Sequence, residues 1–373
     1  MHGIKLNEPV TGTRAIVASS LAIIGLVATA GAAAGPAKDA LDAAFPDGEL
    51  VLVTDVRAAV AKAGSTGTLA PALAAIADQT NPVAVVIRIA EPAAPEDLDD
   101  AVNAALDQLL GAEVQLGVRP RILGAPGLDT QPVAAKLEEV AAKLRAFAYA
   151  AAIGDDVAEA NLYRENFSAR ELMLLWPNTS AAFAGDLVAR AMGLRCLIDN
   201  EVGWHKTLSN VAMNGVTGLS VPVFFDLHSA DNDAGLLNAA DITTVIRVNG
   251  FRFWGNRTCS DDPLFAFEST VRTAQVIQDE IAAGLLWAID KPITKSLFRD
   301  IEETINARLR QLVAQGRLIG GRAWVDPELN PAAQLAAGKI TVDYDYTPCA
   351  PAEELMLNQR ITDRYYGDLA NAA

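Results

Sequence analysis

The chain has 373 residues, of which 51% are hydrophobic and 20% charged, with a formal net charge of −16. That length holds two or three domains with sizeable cores, and that composition excludes a disordered chain. The acidic balance speaks against a general nucleic-acid binder, whose first need is a basic face for phosphates.

Residues 1–14 are polar and mixed, with Pro9 and Gly12, and predict an extended arm. Ala15 to Ala37 then carries no charge, with Lys5 and Arg14 ahead of it. That is the pattern of a signal peptide or a weak membrane span, and equally of a buried strand over Leu21–Ala28. Glu49–Thr54 predicts a short strand, Val56–Ala63 and Ala70–Ala77 predict helices, and Val83–Ile89 after Pro82 is a clear strand.

Strand and helix alternate from there. Pro95 and an acidic first turn open a helix to about Leu110, Arg121–Gly124 is a strand, and Pro132–Ala146 is a helix. Strands at Phe147–Ile153 and Glu171–Trp176 precede a helix over Ser180–Met192. Such alternation predicts an α/β fold with a mainly parallel sheet.

The texture changes near Asp241. Ile242–Val248 and Phe251–Trp254 flank Asn249-Gly250, the strongest hairpin signal in the chain. Asp262-Pro263 caps a helix with Val271, Ala274, Ile277, Ile281 and Leu285 along one side. A second helix over Lys295–Gln315 points Leu297, Ile301, Ile305, Leu309 and Leu312 inward and stops at Gly316.

Two extended runs close the chain with no evident partner. In Lys339–Thr347, Ile340, Val342, Tyr344 and Tyr346 share one face and polar residues the other, the alternation of a half-buried strand. The break Pro348–Pro351 precedes a second run, Leu355–Tyr366. Such edges either complete a sheet at home or add to another molecule's sheet.

Motifs for catalysis are missing from the sequence. Gly25, Gly31 and Gly35 are not spaced as a dinucleotide fingerprint, and neither a P-loop nor a nucleophile elbow occurs. Cys196, Cys259 and Cys349 fit no zinc spacing, which predicts reduced thiols and synthesis in the cytosol, and His2, His205 and His228 are scattered. Asp199, Glu201 and His205 read as a polar turn rather than a metal site, and Asp226, Asp231 and Asp233 with Gly235 as a solvated loop. Gly124–Gly127 is a turn. Arg247, Arg252 and Arg257 among Phe251, Phe253 and Trp254 suit a packed hairpin better than base stacking. An α/β enzyme of unknown chemistry stays as the alternative reading.

The run Ile246–Thr258 resembles the G-x-R-x-W-G-x-R-T segment of contractile tail sheath proteins of myovirus-type bacteriophages and R-type pyocins, through Arg252, Trp254, Gly255, Arg257 and Thr258. Asp262–Glu268 with Arg272-Thr273 is similar to that family's helix opening, and Asp290–Ile293 to its link to the next helix. Gly185–Arg190 followed by Gly203–Lys206 resembles another of its stretches, with Leu208-Ser209 where a proline is usual. His2–Ile4, Thr13-Arg14 and Ile24–Ala30 resemble its N-terminal arm and first strand, and Gln359–Arg364 also fits.

The resemblance implies a mainly parallel α/β sheath domain plus an α+β C-terminal domain with extended N- and C-terminal β arms. The implied division is an arm over 1–18, an outer domain over 19–240, an inner, tube-facing domain over 241–347, and an arm over 348–373. Subunits would stack as rings around a tail tube and contract to drive it through the bacterial envelope. Arms carrying Ile4, Leu6, Ile340, Val342, Tyr344, Tyr346, Leu355, Leu357 and Ile361 would pair with strands of neighbours, with Leu355–Tyr366 as the crossing run. The implied partners are other copies of the chain, the tail tube, the baseplate and the tail terminator, with no direct nucleic acid, cofactor, metal or stable membrane insertion. One of the two C-terminal helices would face the tube. The product would be a virion tail sheath assembled in the host cytoplasm.

Overall fold

A computed structural model describes residues 21–90 and 94–366. Its dominant element is an eight-stranded sheet in the order β2-β3-β1-β4-β5-β6-β7-β8. The strands are β1 (Ile23–Thr29), β2 (Leu50–Val53), β3 (Val83–Ile89), β4 (Ile122–Gly124), β5 (Phe147–Ala151), β6 (Leu172–Leu175), β7 (Ile242–Arg247) and β8 (Phe251–Trp254). The six middle strands, β3 to β7 in sheet order, run parallel, and an antiparallel strand closes each edge.

Helices cover both faces, so the parallel strands read as continuous apolar runs rather than alternating ones. One face carries α1 (Pro36–Ala44), α2 (Val56–Val60), α3 (Leu69–Gln79) and α8 (Asp186–Glu201). The other carries α4 (Leu98–Gln108), α5 (Ala112–Leu116), α6 (Gln131–Leu144), α7 (Val157–Arg164) and α9 (Asp233–Ala239). β1 lies between β3 and β4 with all seven residues buried. The apolar run that also suited a signal peptide or membrane span is thus a central strand from Ile23 on, and among the described residues no helix is long and apolar enough to cross a membrane. Gly25 makes that packing possible: a Cβ there would stand 2.7 Å from Leu123 Cδ2.

A smaller unit follows. It comprises α10 (Glu268–Gly284), α11 (Lys295–Ala314), β9 (Leu318–Trp324), α12 (Ala332–Ala336) and β10 (Asp343–Pro348). The Thr294 hydroxyl caps α11 by accepting from Leu297 N at 3.2 Å. The predicted stripe Leu297, Ile301, Ile305, Leu309 and Leu312 packs with Val276, Ile277 and Ile281 of α10 into a third core.

Three expectations need correction. The hairpin β7–β8, assigned from sequence to a domain starting at residue 241, is the edge of the large sheet, because β7 pairs parallel with β6. The strand within Lys339–Thr347 has a partner at home: β10 pairs antiparallel with β9, Tyr344 opposite Ala323 and Tyr346 opposite Gly321. Ile340, Val342, Tyr344 and Tyr346 accordingly pack, partly buried, on the chain's own third core. β9 escaped notice because Gly320-Gly321 interrupts its pattern. The helix expected over Ser180–Met192 starts at Asp186, after Asn178 has folded the preceding loop by donating to Phe183 O (2.7 Å) and accepting from Leu187 N (3.0 Å).

Candidate assembly surface

The arginine–aromatic motif joins the two units. Asn249 and Gly250 both take positive φ (50° and 101°), which is what the Asn-Gly pair permits at the hairpin tip. Arg252 donates to Val248 O (2.8 Å) and Asn210 O (3.0 Å), and Trp254 stacks edge-on against Phe225, centroids 5.1 Å apart. Gly255 sits at φ 131°, where a Cβ would lie 2.8 Å from Thr243 Cα, so the motif requires glycine there. The Thr258 hydroxyl donates to Phe265 O at 2.8 Å, which fixes the entry to α10.

Arg257 reaches further. Its Nε and Nη2 each donate at 2.8 Å to the Glu353 carboxylate, a two-pronged pair 96 residues apart in sequence. Hydrogen bonding to Glu353, together with Asp241, holds the Arg257 guanidinium pKa above its ordinary value. Glu353 is the root of the C-terminal segment, so the motif anchors the tail at its base.

Buried charges weld α10 to the large sheet. Arg195 of α8, fully enclosed, meets Asp199 at 2.9 Å and Glu268 at 3.4 Å; Arg272 also pairs with Asp199, and the Tyr149 hydroxyl of β5 donates to Glu268. Burial and the adjacent Glu268 push the Tyr149 hydroxyl far above the ordinary tyrosine range. Burial works against the Arg195 charge, but Asp199 and Glu268 outweigh it. Further along α10, Asp279 pairs with Arg121 and Arg145 beside the sheet. Asp199, one member of the sequence's polar trio, is thus consumed by ion pairs.

Beyond Glu353 the tail departs from the body. Leu355, Leu357 and Ile361 are 80%, 79% and 97% exposed, and residues 355–362 join no strand ladder among the described residues. Water-exposed aliphatic side chains in a row mark a contact waiting for a partner. Ile4 and Leu6 of the expected N-terminal arm lie outside the described residues.

A cleft of about 410 Å³ opens at the carboxyl ends of β5 and β6, where α/β enzymes place their chemistry. Its lining includes Ala151, Gly154, Asp155, Trp176, Asn178 and Ser180. The Asn178 amide is spent on the loop before α8, and the Ser180 hydroxyl accepts from Ala182 N (3.1 Å), so these two side chains hold backbone in place.

A welded two-unit body with a two-stranded sheet and an exposed apolar tail defines a structural subunit built for assembly. Residues 92–259 match the phage tail sheath protein central domain, and residues 260–362 the phage tail sheath C-terminal domain. The tail sheath protein of Escherichia phage P2 is 48% identical, with 100% of this chain and 98% of that protein covered. The major tail sheath protein of Serratia phage KSP20 is 42% identical, covering 98% and 96%. In fold, the helical sheath of the anti-feeding prophage in its contracted state superposes with a TM-score of 0.74 over 96% of this chain and 98% of that one, at 18% identity. The chain belongs to the phage tail sheath family.

Proposed function

We infer that this chain is the repeating subunit of a contractile tail sheath. Copies stack as rings around a tail tube, between a baseplate and a tail terminator, and contraction drives the tube through the bacterial envelope. The particle is assembled in the host cytoplasm, and the chain works by changing lattice, without a catalytic step. The welded interface between the large sheet with its α8 layer and α10 supports this reading, since a subunit that swings in a lattice must move as one body.

The observation that carries it is the tail. Burying Leu355, Leu357 and Ile361 is worth about 1.5–3 kcal/mol each, gained only when a second copy supplies the surface. Strand addition fits, because backbone hydrogen bonds give a directional link between bodies that rotate. Removing Glu354–Ala373 tests it. The shortened chain should keep its melting profile, since β10 and the Arg257–Glu353 anchor remain, and should form no tubes or rings in electron micrographs. Tubes from the shortened chain at full-length yield would overturn the reading.

A further inference from the structure

The β9–β10 sheet has two outer edges, and the structure treats them differently. Asn306, in the middle of α11, turns its amide onto β9. Its Oδ1 accepts from Ala323 N at 2.8 Å, and its Nδ2 donates to Ala323 O at 2.9 Å. That is the bonding a neighbouring strand would supply, delivered by a side chain. Asparagine is a poor residue for a helix interior, so its place there calls for a compensating role.

Those two bonds fix the geometry of the other edge. In an antiparallel ladder, residues alternate between pairs that exchange both backbone bonds and pairs that exchange neither. Ala323 spends its N–H on Asn306, so its pairing with Tyr344 is of the second kind. Tyr344 and, two residues on, Tyr346 therefore point N–H and C=O away from β9. Among the described residues no strand pairs on that side.

We propose that Asn306 is an edge cap that closes β9 and confines strand addition to β10, where residues 355–362 of a second copy dock. The proposal rests on the strand-donation reading above and adds which edge receives the strand and what rejects it from the other. The incoming segment is complementary on both faces. Leu355, Leu357 and Ile361 alternate to one side and extend the half-buried row Val342, Tyr344, Tyr346 over the third core. Arg360, on the opposite side, then lies over the face carrying Asp343 and Asp345. A sheet with two open edges can add strands on both sides, whereas one capped edge leaves a single edge for assembly.

Disulfide trapping in assembled full-length particles tests the assignment, in a Cys349→Ser background because Cys196 and Cys259 are buried. Size-tagged donor chains carry Met356→Cys, Asn358→Cys or Arg360→Cys, and acceptor chains carry Asp345→Cys on β10 or Arg322→Cys on β9. A strand on the β10 edge lies roughly 10 Å from β9, beyond the roughly 7 Å that a disulfide spans between Cα atoms. The expected result is a donor–acceptor dimer with Asp345→Cys and none with Arg322→Cys. Asn306→Ala should bring out the Arg322→Cys dimer, and Asn306→Asp, nearly isosteric but lacking the donor, should do so in part. An Arg322→Cys dimer in chains that retain Asn306, or an unchanged pattern in both Asn306 variants, would overturn the edge cap. Particles that form with no dimer at either acceptor would instead sink strand donation itself.

Discussion

Replacing Arg308 with methionine should be among the most damaging single changes in the smaller unit. Arg308 on α11 holds Glu280 on α10 through Nε at 2.8 Å and Nη2 at 2.6 Å, while its Nη1 donates to Gln311 Oε1 at 2.7 Å. The two residues are 6% and 1% exposed, so water cannot replace either partner. Arg308→Met leaves the Glu280 carboxylate buried and unpaired, which costs about 3–5 kcal/mol, whereas replacing both charges with apolar residues of similar volume is close to neutral. Urea titrations of Arg308→Met, Glu280→Leu and the double variant should therefore show strong non-additivity. The double variant should lie within about 1.5 kcal/mol of the parent, and the coupling should reach about 2 kcal/mol or more. Additive losses, or a single-variant loss below about 1 kcal/mol, would refute the claim that this pair clamps α10 to α11.

Two further outcomes are expected. Burial and the neighbouring Glu171 push the Glu138 carboxyl up to about 7. The fold thus favours its protonated form, and the associated stability is complete below the ordinary carboxylate value and lost as pH rises through 7. Glu138→Gln should be near neutral at pH 4.5 and stabilising by about 1–2 kcal/mol at pH 8, after allowance for its partial exposure; a flat difference between the two pH values in denaturation would contradict this. Arg257→Gln frees the tail root, but the Arg257–Glu353 pair is partly exposed, so unfolding free energy should fall by less than about 1 kcal/mol, while limited proteolysis after residue 349 should accelerate. Unchanged proteolysis would remove Arg257 from its anchoring role.

Much of the large sheet was legible because both of its faces are covered. Val83–Ile89 and the Asn249-Gly250 hairpin fall where the sequence places them, since β-branched runs and positive-φ turns are local signals. The α11 stripe was legible for the same reason, as one helix face against one core. Short helices such as α7 and α9 were not, because their N-caps Asp156 and Asn232 sit in stretches without a strong apolar period. β9 was missed through its two glycines, and with it the home partner of β10, so the sequence left open whether that strand pairs at home or with another molecule. The tail from Leu355 was recognised as extended, but nothing local in it shows that Glu353 fixes its root to Arg257, a contact that only tertiary structure creates. Asn306 gives no sequence signal apart from being a weak helix former within a helix.

The central claim is that one copy's tail completes another copy's sheet. A cryo-EM map of particles assembled from the full chain tests it most directly, at a resolution that traces backbone through β10. The account predicts a strand from another subunit, built from residues 355–362, bonded along the Tyr344 and Tyr346 edge, with the Asn306 amide still closing β9. A map in which that edge is bare, or in which each tail folds back onto its own subunit, would contradict it.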